Sequence, residues 1–140
     1  MNKVFKVGLI GCGHIAETYF RGHQYFNNFK IGAWADINQK AADKCAKLYN
    51  IKSTSVRSLL KDKEIEVILN LTIPQAHYSV SKKVLNAGKH VYSEKPLATQ
   101  FQKGKELVNL AKRKNLYIGN APDTFLGGGV KRQENLSTLI

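Results

Sequence analysis

The sequence contains few cysteines, no long apolar run and few acids. Only Cys12 and Cys45 are present, and their spacing is not that of a metal site, so we expect free thiols and no metal ion. Free thiols are typical of a reducing compartment. No apolar stretch approaches the roughly 20 residues that span a bilayer, and residues 1–5 lack the pattern of a signal peptide. We therefore predict a cytoplasmic protein that does not bind a membrane.

The shortage of acids gives the chain a net charge of +12, which raises the alternative of nucleic-acid binding. The lysines are spread over helix-like segments, as at Lys40, Lys44 and Lys47, which is typical of solvated helix faces. No zinc spacing, recognition-helix pattern or aromatic RNA-binding signature accompanies them. We expect no nucleic-acid partner; binding through the basic surface would show an affinity that falls steeply with salt.

Strand-like and helix-like segments alternate along the chain, whose length suits one domain. Six strand candidates separated by helices predict an α/β fold, a doubly wound parallel sheet with helices on both faces. The strand-like segments with clear bounds are residues 4–10, 29–35, 66–71, 89–92 and 116–118. The helix-like segments are residues 15–26, 38–49, 55–60, 75–87 and 100–114, with Ser55 as a cap.

A glycine turn follows the first strand-like segment directly. In the pattern Gly-x-Gly-x-x-Ala, Gly11 can adopt backbone angles closed to other residues, and Gly13 lets a phosphate approach the backbone. Ala16 keeps the next helix close to the sheet. Because the N–H groups at the start of that helix, around His14 and Ile15, face outward, the turn predicts a site for a dinucleotide pyrophosphate.

Asp36 ends the second strand-like segment, at the distance from the glycine turn that the dinucleotide fingerprint requires. Its carboxylate can accept both ribose hydroxyls of the adenosine half, which favours NAD, and it would repel a 2′-phosphate. Lys40 is close enough along the chain to keep NADP possible. The alternative is that Asp36 or Asn38 caps the following helix.

Two further loops follow predicted strands. After the fourth strand, Thr72 and Pro74 would form the wall beside the nicotinamide ribose, and His77 begins the next helix, where capping, packing or catalysis could each explain it. After the fifth strand, Glu94 and Lys95 lie where the nicotinamide should be. The carboxyl ends of parallel strands bind ligands, so an ammonium there could bind a substrate hydroxyl and support proton movement.

These motifs together resemble the nucleotide-binding domain of the glucose-fructose oxidoreductase / inositol 2-dehydrogenase / MocA family. The resemblance runs from about residue 6 to 129, and the Glu94-Lys95-Pro96 motif is its most specific part. It implies a Rossmann fold, NAD or NADP as cofactor, a sugar, cyclitol or related polyol as substrate, and Lys95 as the catalytic residue. It also allows a homo-oligomer.

The family has a second domain that supplies most of the substrate pocket. We expect residues 1–125 to form the nucleotide-binding domain, residues 126–140 to form an irregular tail, and the second domain to be absent. A one-base deletion in codons for Lys-Thr-Ala-Arg-Lys-Leu-Ile-Asp gives Lys-Arg-Gln-Glu-Asn-Leu-Ser-Thr, which is the sequence of residues 131–138. We therefore expect a frameshifted tail, and binding of dinucleotide with negligible turnover.

A non-catalytic dinucleotide-binding module is the alternative to a dehydrogenase. Its features are the same glycine turn and Asp36, and measured turnover would separate the two. A methyltransferase that uses the same turn fits poorly, because such an enzyme would leave the Glu94-Lys95-Pro96 motif unexplained.

Overall fold

The strands of the chain pair in parallel to form a single sheet in the order β3-β2-β1-β4-β5-β6. The computed structural model describes residues 3–122, and the expected tail of residues 126–140 lies outside them. The strands are β1 (Phe5–Ile10), β2 (Phe29–Ala35), β3 (Lys52–Ser53), β4 (Val67–Asn70), β5 (His90–Ser93) and β6 (Ile118–Asn120). The predicted doubly wound parallel sheet is confirmed.

Helices connect consecutive strands, as parallel pairing requires. They are α1 (His14–Gly22), α2 (Gln39–Leu48), α3 (Val56–Lys61), α4 (Pro74–Asn86) and α5 (Phe101–Arg113), and a short 3₁₀ helix (His23–Tyr25) follows α1. Ser55 caps α3 as predicted, since its Oγ accepts from the Ser58 N–H at 3.1 Å. Asn38 caps α2 through the Ala41 N–H at 3.4 Å. None of the helices within residues 3–122 is both long and apolar enough to cross a bilayer.

Two apolar cores lie on opposite faces of the sheet. Successive strand residues point to opposite faces, and in β4 Ile68 belongs to one core while its neighbour Leu69 packs against the other. The first core contains residues of α3, α4 and α5, such as Leu59, Leu85 and Leu107. The second is covered by α1 and α2 and contains Leu9, Ala16, Ile31, Trp34 and Leu71. The helices therefore cover both faces, as predicted.

Five strands end level with one another. Ile10 pairs with Ala35 and Asn70, Asn70 pairs with Ser93, and Ser93 pairs with Asn120. The chain runs from β1 to β2 in one direction and from β4 to β5 in the other, so the strand order reverses between β1 and β4. Ligands of such sheets bind outside the carboxyl ends at this switch point. The loops after β1, β2, β4 and β5 are therefore brought to one crevice.

Two predicted elements differ from the structure by more than one residue. The segment predicted as a strand at residues 116–118 pairs with β5 only from Ile118 onward, because the Leu116 N–H bonds back to Ala111 and the Tyr117 N–H donates to His90 Nδ1. The helix predicted to reach residue 26 tightens into the 3₁₀ turn after Gly22. The two-residue strand β3 had no clear bounds in the sequence.

Candidate functional site

The glycine turn between β1 and α1 has the backbone that its sequence predicts. Gly11 has a φ of +112°, and a Cβ there would lie 2.5 Å from the Leu71 carbonyl oxygen. Gly13 is the N-cap of α1, no side chain caps the helix, and a Cβ at Gly13 would meet no atom within 4 Å. Gly11 is therefore required by the fold, whereas the openness of Gly13 leaves the start of α1 accessible to an anion.

The carboxylate of Asp36 joins the glycine turn to the start of α2. Its Oδ2 accepts from the Cys12 N–H at 2.7 Å, and its Oδ1 accepts from the Asn38 N–H at 2.8 Å. Asn38 is the N-cap of α2. Of the two residues that the sequence offered as caps, Asp36 therefore does not cap the helix. Its carboxylate is thus fixed at the carboxyl end of β2, beside the turn.

A cavity of about 980 Å³ opens at this edge of the sheet, at the upper end of the range for small-molecule sites. Its lining brings together seven of the predicted site residues: Gly11, Gly13, His14, Ile15, Asp36, Thr72 and Pro74. The other four do not line it. Ala16, the buried residue of α1, belongs to the second core, and His77, Glu94 and Lys95 are not part of the cavity wall.

The cavity also has apolar walls that the motifs did not reveal. The fully exposed Ile37 lines the cavity, and so do Val56 and Leu60 of α3. Ile73 and Val80 belong to the loop after β4 and to α4. Apolar walls with a few polar groups are what a flat heterocycle requires. The only sequence signal for Ile37 is its position directly after Asp36.

The turn after β5 is held by its own carboxylate. Glu94 Oε2 accepts from the Lys95 N–H at 2.9 Å, and Oε1 accepts from the Tyr19 hydroxyl of α1 at 2.7 Å. Burial, with a further contribution from Glu94, raises the pKa of the Tyr19 phenol well above its ordinary value. Asn120 Nδ2 donates to the carbonyl oxygens of Ser93 and Glu94 at 3.0 Å each. Glu94 therefore fixes the backbone at Lys95, and the sequence gave no sign of Tyr19 as its partner.

His77 lies behind these loops and not in the cavity wall. His77 is only 1% exposed, and both of its ring nitrogens face backbone carbonyl oxygens. Nδ1 lies 2.6 Å from the Pro96 oxygen and Nε2 lies 2.8 Å from the Thr72 oxygen. The ring therefore connects the loop after β4 to the turn after β5.

The two cysteines are free, as expected. Burial is the main cause that raises the pKa of the Cys12 thiol, and Cys45 and Asp36 add to it. A thiol with a raised pKa is a poor nucleophile, which agrees with a packing role in the turn. Within the part of the chain described, no three His, Cys, Asp or Glu side chains cluster so as to hold a metal ion.

The chain matches a family model over most of its length and resembles enzymes of known class. Residues 5–121 match the family described as an oxidoreductase family with an NAD-binding Rossmann fold. An uncharacterized oxidoreductase of Schizosaccharomyces pombe is 37% identical over 125 residues, which are 81% of this chain and 32% of that protein. An inositol 2-dehydrogenase/D-chiro-inositol 3-dehydrogenase of Shouchella clausii is 34% identical over 98 residues, covering 67% of this chain and 28% of that one.

A solved structure agrees with these matches. The biliverdin reductase of Synechocystis, crystallised with biliverdin and NADP⁺, superposes with a TM-score of 0.85 at 28% identity and covers 94% of this chain and 42% of that chain. The chain therefore spans about a third of the length of the curated relatives that it matches.

Proposed function

The chain belongs to this oxidoreductase family with an NAD-binding Rossmann fold, and on that premise we propose that its cavity binds NAD. The pyrophosphate would lie at the start of α1, over Gly13, where the N–H groups of His14 and Ile15 face an anion. The adenosine ribose would lie at Asp36. The observation that carries the proposal is that the open turn and this carboxylate line one cavity, joined at 2.7 Å through the Cys12 N–H.

The preference for NAD over NADP rests on Asp36. A fixed carboxylate accepts hydroxyl hydrogens and repels a phosphate. Ordering the carboxylate through two backbone N–H groups reduces its freedom to turn away. Among residues 3–122, Lys83 of α4 is the lysine that lines the cavity, and one exposed cation compensates only weakly for the repulsion between a 2′-phosphate and the Asp36 carboxylate. We therefore propose NAD, with NADP binding more weakly.

The nicotinamide end of the site would lie beside Thr72 and Pro74, toward Lys95. When bound, NAD would supply the acceptor for the hydride that leaves the substrate. The chain's own contribution would be the Lys95 ammonium, held at the carboxyl end of β5 by a turn that Glu94 fixes. From there it would donate a hydrogen bond to a substrate hydroxyl and take part in moving its proton.

We propose a sugar, cyclitol or related polyol as the substrate class. The support is that curated relatives of this chain carry the name inositol dehydrogenase. The cavity itself is filled by the proposed dinucleotide, so the choice of substrate comes from the resemblance alone.

Dinucleotide binding is tested by following the fluorescence of Trp34, the single tryptophan of the chain. The protein is titrated with NAD, NADP and S-adenosylmethionine. We expect saturable binding of NAD, weaker binding of NADP and none of S-adenosylmethionine. Binding of S-adenosylmethionine alone, or of none of the three, would overturn the proposal.

Turnover is measured separately, from NADH absorbance with myo-inositol and other polyols. The Lys95→Met variant is the matched control, because it removes the ammonium without changing the cavity lining. Turnover in the wild type that Lys95→Met removes, with NAD binding intact, would favour the dehydrogenase over a non-catalytic dinucleotide-binding module, and turnover equal in the two proteins would overturn the role of Lys95.

A further inference from the structure

The face of the sheet that carries the second core is covered by helices over only part of its width. Helices α4 and α5, which connect β4, β5 and β6, contribute their apolar side chains to the first core. Right-handed crossovers that continue in one direction place their helices on one face of a sheet. Among residues 3–122, no side chain of β5 or β6 belongs to the second core. Because a parallel sheet is normally buried on both faces, this part of the sheet lacks a helical cover within the described chain.

A groove with aromatic walls lies alongside α1, at the border of this part of the sheet. Its volume is about 430 Å³, and the residues that line it, which we call the aromatic groove, are Thr18, Tyr19, Gly22, His23, Phe26, Phe29, Leu69 and Tyr92. Phe26 is 57% exposed. Leu69 is only half-buried although β4 is a central strand, whereas its neighbour Ile68 is fully buried. Adjoining apolar side chains that stay accessible indicate an interaction surface.

Tyr92 separates the aromatic groove from β6. Its ring lies against Gly119 of β6, where a Cβ would be 2.8 Å from Tyr92 Cδ2. On the other side, the ring centroids of Tyr92 and Tyr19 are 6.5 Å apart. The chain leaves the sheet from β6, an edge strand, and the Ala121 N–H still bonds to the Ser93 oxygen of β5 at 2.9 Å. The chain therefore passes Ala121 one strand away from the groove.

We propose that residues 123–130 of this chain dock in the aromatic groove, with Phe125 and Leu126 as the side chains that fill it. These two are the first large apolar residues after β6. The two strand spacings from β6 to β4 measure about 10 Å, and the four extended residues 123–126 span about 13 Å. Both side chains are thus within reach of Tyr92 and Leu69.

The chemistry of the groove favours this occupant over others. None of its lining residues is a lysine, arginine, aspartate or glutamate, so the groove selects apolar side chains. Residues 131–135 are Lys-Arg-Gln-Glu-Asn, and burying them there would leave polar groups without partners. A second copy of the chain would bring another net charge of +12 against the first, and this repulsion opposes association. A covalently attached segment acts at a high effective concentration.

Docking of this segment does not depend on the dinucleotide. The aromatic groove and the cavity beside the glycine turn share no lining residue. The proposal therefore does not rest on the proposed function, and its tests use the full-length protein without a dinucleotide. Failure of NAD to bind would overturn the proposed function and leave the docking in place.

Nuclear Overhauser effects in the full-length protein test the contact directly. We expect cross-peaks from the Phe125 ring and the Leu126 methyl groups to the rings of Tyr19 and Tyr92. The absence of these cross-peaks, or cross-peaks that join Phe125 and Leu126 to another surface, would overturn the proposal.

Isotope-filtered spectra of an equal mixture of labelled and unlabelled protein identify the occupant. We expect the cross-peaks of Phe125 and Leu126 to arise within one chain, and the sedimentation coefficient to be that of a monomer. Cross-peaks between chains would show that a second copy fills the groove, and they would overturn docking within the chain.

A charge placed in the groove should release the segment. Thr18 is exposed and lines the groove, so Thr18→Glu leaves the core intact but places a carboxylate where the docked segment would exclude water. We expect chymotrypsin to cleave the full-length variant after Phe125 about tenfold faster or more than the wild type, because cleavage requires the segment to be undocked.

Gln24→Glu is the matched control, because it adds the same charge at an exposed residue of the 3₁₀ helix that does not line the groove. We expect it to be cleaved after Phe125 at the rate of the wild type, with mass spectrometry identifying the fragments. Equal cleavage rates for Thr18→Glu and Gln24→Glu would contradict docking in the aromatic groove.

Discussion

The indole Nε1 of Trp34 donates a hydrogen bond of 2.9 Å to the carbonyl oxygen of Gly11. Trp34 is 1% exposed and lies at the end of β2, so the glycine turn is held from beneath by a side chain 23 residues away along the chain. The neighbouring bond from the Gly11 N–H to the Ala35 oxygen, also 2.9 Å, comes from the same strand. The second strand therefore fixes the turn through both polar groups of Gly11.

Replacing Trp34 tests this support. We expect Trp34→Phe to lower the free energy of unfolding by about 1–3 kcal/mol, because the buried Gly11 oxygen loses its donor. Denaturant unfolding followed by circular dichroism measures the change. Tyr117→Phe, at a site 80% exposed, is the control and should unfold like the wild type; a Trp34→Phe protein equally stable would show that the bond contributes nothing.

The two glycines of the turn should separate stability from binding. Gly11→Ala places a Cβ 2.5 Å from the Leu71 oxygen at a φ of +112°, and we expect a loss of stability of about 2 kcal/mol or more. Gly13→Ala meets no atom, so stability should change by less than about 0.5 kcal/mol.

Gly13→Ala should change NAD binding strongly although it changes stability little. Because the proposed pyrophosphate lies over Gly13, a Cβ there would take up part of its space, and Gly13→Ala should weaken NAD binding by about tenfold or more. Gly22→Ala, which also meets no atom but lies at the far end of α1, is the matched control. Unchanged NAD affinity in Gly13→Ala would place the pyrophosphate elsewhere.

Asp36 should determine which dinucleotide is preferred. We expect Asp36→Asn to weaken NAD binding by about tenfold, as expected for loss of hydrogen bonds to a charged group, and to narrow the difference between NAD and NADP. Fluorescence titration of both dinucleotides measures the ratio. Asp43→Asn removes an exposed carboxylate on α2 that binds Gln39 and Ser53, and it should leave the ratio unchanged.

The bond between Tyr19 and Glu94 should give the stability a defined pH dependence. Burial and Glu94 raise the pKa of Tyr19 in the folded chain above the ordinary value of 10.0. Its contribution to stability is thus complete below pH 10 and is lost as the pH rises through the raised folded value. We expect Tyr19→Phe to cost about 1 kcal/mol at neutral pH, since the pair is partly exposed to solvent.

Unfolding curves of the wild type and Tyr19→Phe, measured from pH 7 to above pH 10, check this. The difference between them should shrink only at the alkaline end. A difference that stays constant over the whole range would show that Tyr19 acts through packing and not through its hydroxyl.

Lys89 should be a structural lysine. It is 6% exposed, and its ammonium donates to the Asp62 and Ile65 oxygens at 2.6 Å each. Burial lowers the pKa of Lys89, and Asp62 opposes that effect. We expect Lys89→Met to cost about 2 kcal/mol or more, because two carbonyl groups lose their donor. Lys112→Met, at an exposed position on α5, should change the free energy of unfolding by less than about 0.5 kcal/mol.

The sheet and the cavity could be predicted from sequence because both depend on local patterns. Apolar runs such as residues 67–69 indicate strands, and parallel pairing alone brings the residues at strand ends to one edge of the sheet. Gly11, Gly13 and Asp36, which their spacing in the sequence assigns to two neighbouring strand ends, therefore line one cavity.

Contacts between distant side chains could not be predicted in this way. Tyr19 and Glu94 are 75 residues apart, and Lys89 meets carbonyl groups 24 and 27 residues away. Such pairs depend on the packing of helices on the sheet, which leaves no periodicity in the sequence. The two carbonyl partners of His77 belong to this class, because backbone oxygens carry no residue signature.

The alignment of five strand ends at one edge of the sheet determines where the protein can accept insertions and deletions. A slip of one residue in any of these strands would shift its loop by about 3.3 Å and turn its side chains to the opposite face. Ser93 would then exchange places with Tyr92, and the lysine turn would be carried out of line with the glycine turn. Insertions and deletions should therefore be tolerated in the connections at the opposite end of the sheet, and within the paired strands they should disrupt the site.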